Sequence, residues 1–167
     1  LGREVAKQRP SDTTEHRLVG AADRAALDRL AAEIATVPEV AATHPDAAAR
    51  LVARHGTQAP AVVAVGADLG LLRPLVAGRP FLEAEVAWAV RHELALTVDD
   101  VLSRRLRLSP ELPDRGEAVA PRVAEIMGRE LDWGPSRVAL EAETYLARAR
   151  HEYAVAGPAV AVPDPGV

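Results

Sequence analysis

From about residue 22 to residue 153 the apolar side chains recur at spacings of three and four, and nowhere do they alternate with polar ones for the length of a strand. That period admits helices and little else. AADRAALDRLAAEIATV puts Ala22, Ala25, Ala26, Leu30, Ala31 and Ile34 near one face, with Asp23, Arg24, Asp28 and Glu33 mostly off it. PDAAARLVARHG opens with a proline in its first turn and stops at Gly56, and APAVVAVGADLG stops at Gly70. Gly70, Pro74, Gly78 and Pro80 make residues 70–80 a loop. LEAEVAWAVRHELA is the next helix, and Thr97 with Asp100 three residues on has the form of a capping box for its successor. Pro110 and Pro113 mark a connection over 109–114; helices follow over about 115–131 and 137–153, with Ser136 as the N-cap of the last.

The expected fold is therefore all-α, a compact bundle of about six to seven helices over residues 15–153. Residues 1–14 are polar and aperiodic, and read as a disordered stretch or linker. Residues 154–167 carry Pro158, Pro163 and Pro165, which forbid a continuing helix, and read as a disordered tail. The first residue is Leu1, which points to a piece of something longer or a processed chain.

Composition narrows the function. Thirty-four of the 167 residues are alanine, so many apolar positions are small and suit closely packed helices. A net charge of -4 is mild and gives no sign of a polyanion-binding surface. The absence of cysteine excludes a disulfide framework and a thiolate metal site. No apolar run is long enough to span a bilayer and no export signal opens the chain, so a cytoplasmic domain without its own membrane span is expected.

Chemistry is sparse. His16, His44, His55, His92 and His151 are not spaced to share a helix face, so no metal site is expected. Asp99-Asp100 reads as first-turn acids favoured by the helix dipole rather than a cation site. No phosphate- or dinucleotide-binding glycine motif and no nucleophile elbow occurs, so neither catalytic nor cofactor-binding residues are assigned. ARLVARHGTQAPAVVAVG has the outline of a helix-turn-helix, which leaves a stand-alone nucleic-acid-binding or regulatory domain as the alternative reading. Its second helix, Pro60 to Asp68, lacks the Arg, Lys, Asn or Gln that would read bases, so no nucleic-acid partner is expected. Asp99, Asp100 and Glu93 likewise offset Arg104-Arg105-x-Arg107 as an anion patch.

One stretch is anomalous. In RHELALTVDDVLSRRLRL two helices should present two apolar stripes, Leu82, Val86, Ala89, Val90 and Leu94 on the first and Val98, Val101, Leu102 and Leu106 on the second. At about 100° per residue, Glu93 falls inside the first stripe and Arg105 inside the second. The expectation is a structural ion pair through paired guanidinium-carboxylate hydrogen bonds, its loss costing on the order of 3–5 kcal/mol.

FLEAEVAWAVRHELALTVDDVLSRRLRL resembles the C-terminal helical domain of FAD-dependent, aerobic glycerol-3-phosphate dehydrogenases. The family pattern "aEv-yav-xE-a-t-dDvL-RRtRl" is matched by Glu85, Val86, Val90, Glu93, Thr97, Asp100, Val101, Leu102, Arg104, Arg105, Arg107 and Leu108. Leu106 stands where the family commonly has threonine, and Trp88 where tyrosine is common. LVARHGTQAPAVVAVGAD resembles the family's "RYG"-type helical hairpin, and the likeness covers roughly residues 46–153. The resemblance implies a cap-type domain of a flavoprotein that oxidises sn-glycerol 3-phosphate to dihydroxyacetone phosphate, with FAD in the parent enzyme, a quinone acceptor and no cofactor in this fragment. It implies as partners an N-terminal FAD-binding domain and a second copy in a homodimer. The parent would lie peripherally on the cytoplasmic face of the inner membrane, and the fragment alone would be inactive.

Overall fold

Proline and glycine set the boundaries of most helices in residues 13–152, which the computed structural model describes. The expected tail at 154–167, and all but Thr13 and Thr14 of the expected linker, lie outside those residues. Among the described residues there are eight α-helices, one 3-10 turn and one π turn, and no strand beyond an isolated bridge between Pro74 and Leu82. The all-α expectation holds, with short helices added at 38–43 and 108–111. The chain falls into two compact units that divide between Leu82 and Glu83.

The first unit holds α1 (Arg24–Ile34), α2 (Pro38–Thr43), α3 (Ala47–His55) and α4 (Ala59–Leu69). Asp23 caps α1 by accepting from the Ala26 N–H at 2.8 Å. Pro38 and Pro60 occupy first turns, where a missing N–H costs nothing. α4 stops at Gly70 in the left-handed conformation, and the Leu71 N–H returns to the Gly66 carbonyl at 2.8 Å, a Schellman closure. Ile34, Val40, Leu51, Val52 and Val62 form the core. The loop after Gly70 is closed by the Leu75 N–H on the Phe81 carbonyl at 2.8 Å, and the Arg50 guanidinium covers the Phe81 ring at 3.5 Å.

The second unit holds α5 (Ala84–Glu93), the π turn (Asp100–Arg105), α6 (Leu108–Glu111), α7 (Ala120–Glu130) and α8 (Pro135–Glu152). Alanines do here what their number suggested: Ala84, Ala87, Ala120 and Ala124 are wholly buried and let helices approach closely. Gly128 on α7 likewise admits α8, since a methyl there would stand 2.6 Å from Val138 Cγ2.

Three helix starts differ from expectation. α3 begins at Ala47 with Asp46 as its N-cap, so Pro45 precedes that helix and does not lie in its first turn. The helix expected from 115 begins at Ala120, because Pro121 fits only a first turn. Before it, the Asp114 carboxylate accepts from the Gly116 and Ala118 N–H groups and folds 115–119 into turns. Ser136 is not the last helix's N-cap; Pro135 opens α8, and the Gly134 carbonyl accepts from Arg137 and Val138. Leu94 does not join the apolar stripe of α5. The helix ends at Glu93, Leu94 takes a left-handed backbone (φ 56°), and its side chain turns out to solvent. Val98, Val101, Leu102 and Leu106 are all buried, as expected of the second stripe.

Candidate functional site

The motif segment runs from the head of α5 to the head of α6. The loop before the π turn is closed by Thr97 and Asp100 in the reciprocal manner their spacing predicts. The Asp100 N–H donates to Thr97 Oγ1 at 3.1 Å, while one Asp100 carboxylate oxygen accepts from the Leu96 N–H, the Thr97 N–H and the Thr97 hydroxyl. Arg104 then bridges the acids, with Nη1 3.1 Å from Asp100 Oδ1 and Nη2 3.4 Å from Asp99 Oδ2. Asp99 is buried, accepts from Ser103 Oγ at 2.8 Å and pairs with Arg148 of α8 at 2.6 Å. The acidic pair is thus consumed in arginine and hydroxyl contacts.

Burial alone would raise the Asp100 carboxyl. The hydrogen bonds from Thr97 and from the Leu96 and Thr97 N–H groups, with the Arg104 charge, outweigh it and hold the group below its ordinary value. A depressed carboxyl contributes stability that is present above the unfolded-state value, near pH 4, and is lost as pH falls through the folded value. Asp100→Ala should cost about 1 kcal/mol at neutral pH, the usual worth of such a cap. The gap to the parent chain should narrow below about pH 4. Urea midpoints at neutral and acid pH check this, and a gap constant down to pH 3 contradicts it.

Glu93 and Arg105 come together, but not as the expected fork. Arg105 Nε and Nη2 both donate to the main-chain carbonyl oxygen of Glu93, at 2.9 and 2.7 Å, while the nearest carboxylate contact is 3.9 Å. The reason is local: α5 ends at Glu93, so that carbonyl is one of the helix's orphan acceptors, and a guanidinium satisfies it well. The π turn supplies the reach. The Leu106 N–H bonds back five residues to Val101, so the 100° wheel fails over this stretch and Arg105 is set over the end of α5. Both side chains remain a quarter or more exposed, 29% for Arg105 and 25% for Glu93. Arg105→Ala should therefore cost about 1–2 kcal/mol, the worth of a charge-assisted bond to a carbonyl, not the 3–5 kcal/mol of a severed buried pair. A measured loss above 3 kcal/mol in urea unfolding would overturn that reading.

Of the other motif residues, Glu85 is fully buried in the first turn of α5. Arg107 is exposed and opens α6 with a left-handed backbone. The sequence did not flag two pairs that join α5 to α7. Glu83, just before α5, accepts from Arg122 Nε and Nη2 at 2.8 and 2.9 Å, and Arg91 at the far end of α5 forks onto Glu130. Both pairs are 39 residues apart in sequence, so the two helices run parallel and in register over about two turns. The signal was a mirrored charge spacing, E-x7-R at 83–91 and R-x7-E at 122–130. Arg122 is also held by Glu125 at 2.8 Å; the Glu83 fork raises its pKa, against the opposing effect of burial.

An apolar groove of about 650 Å³ lies between α7 and α8, walled by Trp133, Pro135, Val138 and Ala142. Among the described residues no group of three or more metal-ligating side chains converges, and no helix is long and apolar enough to cross a membrane. The hydroxyls of Thr97 and Ser103 and the acids they meet hold the turn between α5 and α6.

A sequence profile described as the C-terminal domain of alpha-glycerophosphate oxidase matches residues 11–138. The chain belongs to that family. It is 34% identical over 148 residues to glycerol-3-phosphate dehydrogenase 2 of Mycobacterium tuberculosis, which covers 88% of this chain and 25% of that protein. The glycerol-3-phosphate dehydrogenase of Mycobacterium leprae aligns over the same length at the same identity. The mitochondrial glycerol-3-phosphate dehydrogenase of Bos taurus is 36% identical over 104 residues, 59% of this chain and 14% of that protein. The chain thus spans about a quarter of the length of the mycobacterial relatives it matches. No solved structure matches.

Proposed function

We propose that this chain is the C-terminal helical cap of a flavoprotein that oxidises sn-glycerol 3-phosphate to dihydroxyacetone phosphate with FAD and a quinone acceptor. The cap's own role is structural, to dock on the FAD-binding body. The observation that carries the reading is the alignment of 88% of this chain with one quarter of a mycobacterial glycerol-3-phosphate dehydrogenase. The geometry supports a structural role because Asp99, Asp100, Arg104 and Arg105 are engaged with one another, with α8 and with a helix end.

The described residues do not fit a dinucleotide. A pyrophosphate cradle of the usual kind needs a glycine turn between a strand and a helix, and the only extended pairing among these residues is the isolated Pro74–Leu82 bridge. FAD would be held by the rest of the polypeptide, and no catalytic step is assigned here. The reading also places the parent peripherally on the cytoplasmic face of the inner membrane, as a homodimer. Purified alone, the chain should be helical by circular dichroism, carry no stoichiometric flavin and reduce no dye with glycerol 3-phosphate; the full-length protein should do both. Flavin retained by the isolated chain, or a full-length protein inert towards glycerol 3-phosphate, would overturn the proposal.

A further inference from the structure

Leu94 and Leu96 are 80% and 61% exposed, among the few large apolar side chains that the described residues leave in water. Mobility of the turn does not account for this. Ala95 between them is fully buried, and its N–H donates to the Ala89 carbonyl at 3.0 Å. Arg105 grips the Glu93 carbonyl with two nitrogens, immediately before Leu94. Asp100 holds the Leu96 and Thr97 N–H groups at 3.2 and 3.1 Å, immediately after Ala95. The turn is fixed from both sides, and what it fixes is unfavourable to this unit by itself. Leu94 has φ 56° and ψ 37°, a left-handed conformation that a Cβ-bearing residue adopts at a cost and that glycine adopts freely. A helix end of this kind ordinarily carries glycine, as Gly70 does at the end of α4.

We propose that Leu94 and Leu96 form a preset apolar knob by which this cap seats on the preceding part of its own polypeptide. The inference rests on the docking role proposed above and names the contact. The preceding part has ample length to be the occupant: the matched domain is 25% of a mycobacterial relative, which extends about three times further. A knob of two leucines is too small to hold two free proteins together, but it suffices when the partner is covalently attached and its effective concentration is high. The arginine and aspartate that clamp the turn belong to the same motif segment, so the motif's exposed work would be to hold this knob in place.

Two experiments test the knob. In the 167-residue chain, Leu94→Gly should raise the folded-to-unfolded ratio about fivefold in urea titrations, by releasing left-handed strain of on the order of 1 kcal/mol. If Leu94→Gly instead lowers that ratio, the side chain serves this unit's own packing and the knob is refuted. The second experiment uses the absence of cysteine from this chain. Leu94→Cys and Leu96→Cys, and for comparison Leu18→Cys and Leu140→Cys, are labelled with a maleimide in the isolated chain and in the full-length flavoprotein. The labelled peptides are then followed by mass spectrometry. Labelling at 94 and 96 should be at least about tenfold slower in the full-length protein, as for a side chain moved from water into an interface. Slowing at 18 or 140 but not at 94 and 96 would refute the knob and leave the docking reading standing. No slowing at any of the four would overturn both.

Discussion

Gly56→Ala is expected to cost at least about 3 kcal/mol of unfolding free energy, summing backbone strain, a lost hydrogen bond and a clash between main chains. The position ends α3 with φ 55° and ψ −132°, a region that side chains bearing a Cβ scarcely enter. Space forbids the methyl as firmly as the backbone does. A Cβ at Gly56 would stand 1.9 Å from the Gly20 carbonyl oxygen and 2.6 Å from its carbon. Those are backbone atoms, which cannot swing aside as a side chain would. The same carbonyl accepts the Thr57 N–H at 3.0 Å, so any retreat of the Gly20 strand of chain breaks that bond. Gly20→Ala should be milder but in the same direction, since its Cβ would meet the His55 carbonyl oxygen at 2.7 Å. Gly70 is the internal control. It too has positive φ, but nothing lies within 4 Å of its Cβ position, so Gly70→Ala should cost only about 1 kcal/mol. Urea unfolding followed by circular dichroism orders the three; a Gly56→Ala loss no larger than that of Gly70→Ala would refute the packing argument.

These examples show what was readable in the sequence and what was not. Gly56, Gly70 and the Thr97–Asp100 pair stop or start helices within a turn of where they stand, so their spacing alone marked helix ends that the structure contains. Pro121 carried equally local information, and the helix expected through it from 115 ignored that a proline belongs in a first turn. The meeting of Glu93 with Arg105 was legible because only a short connection separates their helices. The acceptor was not, because a helical wheel shows side chains and hides the orphan carbonyls at a helix end. The same wheel assumed 100° per residue through 100–105, where a π turn adds a residue, and it carried Leu94 into a core that α5 no longer reaches. Glu83 and Arg122 lie 39 residues apart, and no period links them. Their partnership depends on α5 and α7 lying side by side, which is a property of the packed unit. The candidate site was thus legible as a motif, through family resemblance, and in the contacts between residues close in sequence, but not in those between distant helices.

Removing that partnership supplies the other large effect. Glu83 is the more buried member, with its side chain 7% exposed, while Arg122 is 25% exposed and shares its third nitrogen with Glu125. Arg122→Ala takes the forked guanidinium from a carboxylate that has little access to water, and should cost about 3 kcal/mol, near the lower end for a severed buried pair. Arg122→Lys should recover only part of this, because an ammonium cannot donate two parallel bonds to both carboxylate oxygens. The Arg91–Glu130 pair at the other end of α5 sets the scale for comparison. Its arginine is 37% exposed, more than Arg122, while Glu130 at 9% is nearly as buried as Glu83, so Arg91→Ala should cost somewhat less than Arg122→Ala, about 2 kcal/mol. Severing a pair is not the same as doing without one. Glu83→Leu combined with Arg122→Met removes both charges while keeping much of the volume, and should lie within about 1.5 kcal/mol of the parent chain. The coupling between the two positions would then exceed 1 kcal/mol, as expected of groups in direct contact. Urea titration of the four members of that cycle decides the matter: additive losses would mean that the fork contributes nothing beyond its separate side chains. If the coupling is present, Glu83 and Arg122 fix the register of α5 against α7, and with it the helix whose end carries the Leu94 turn.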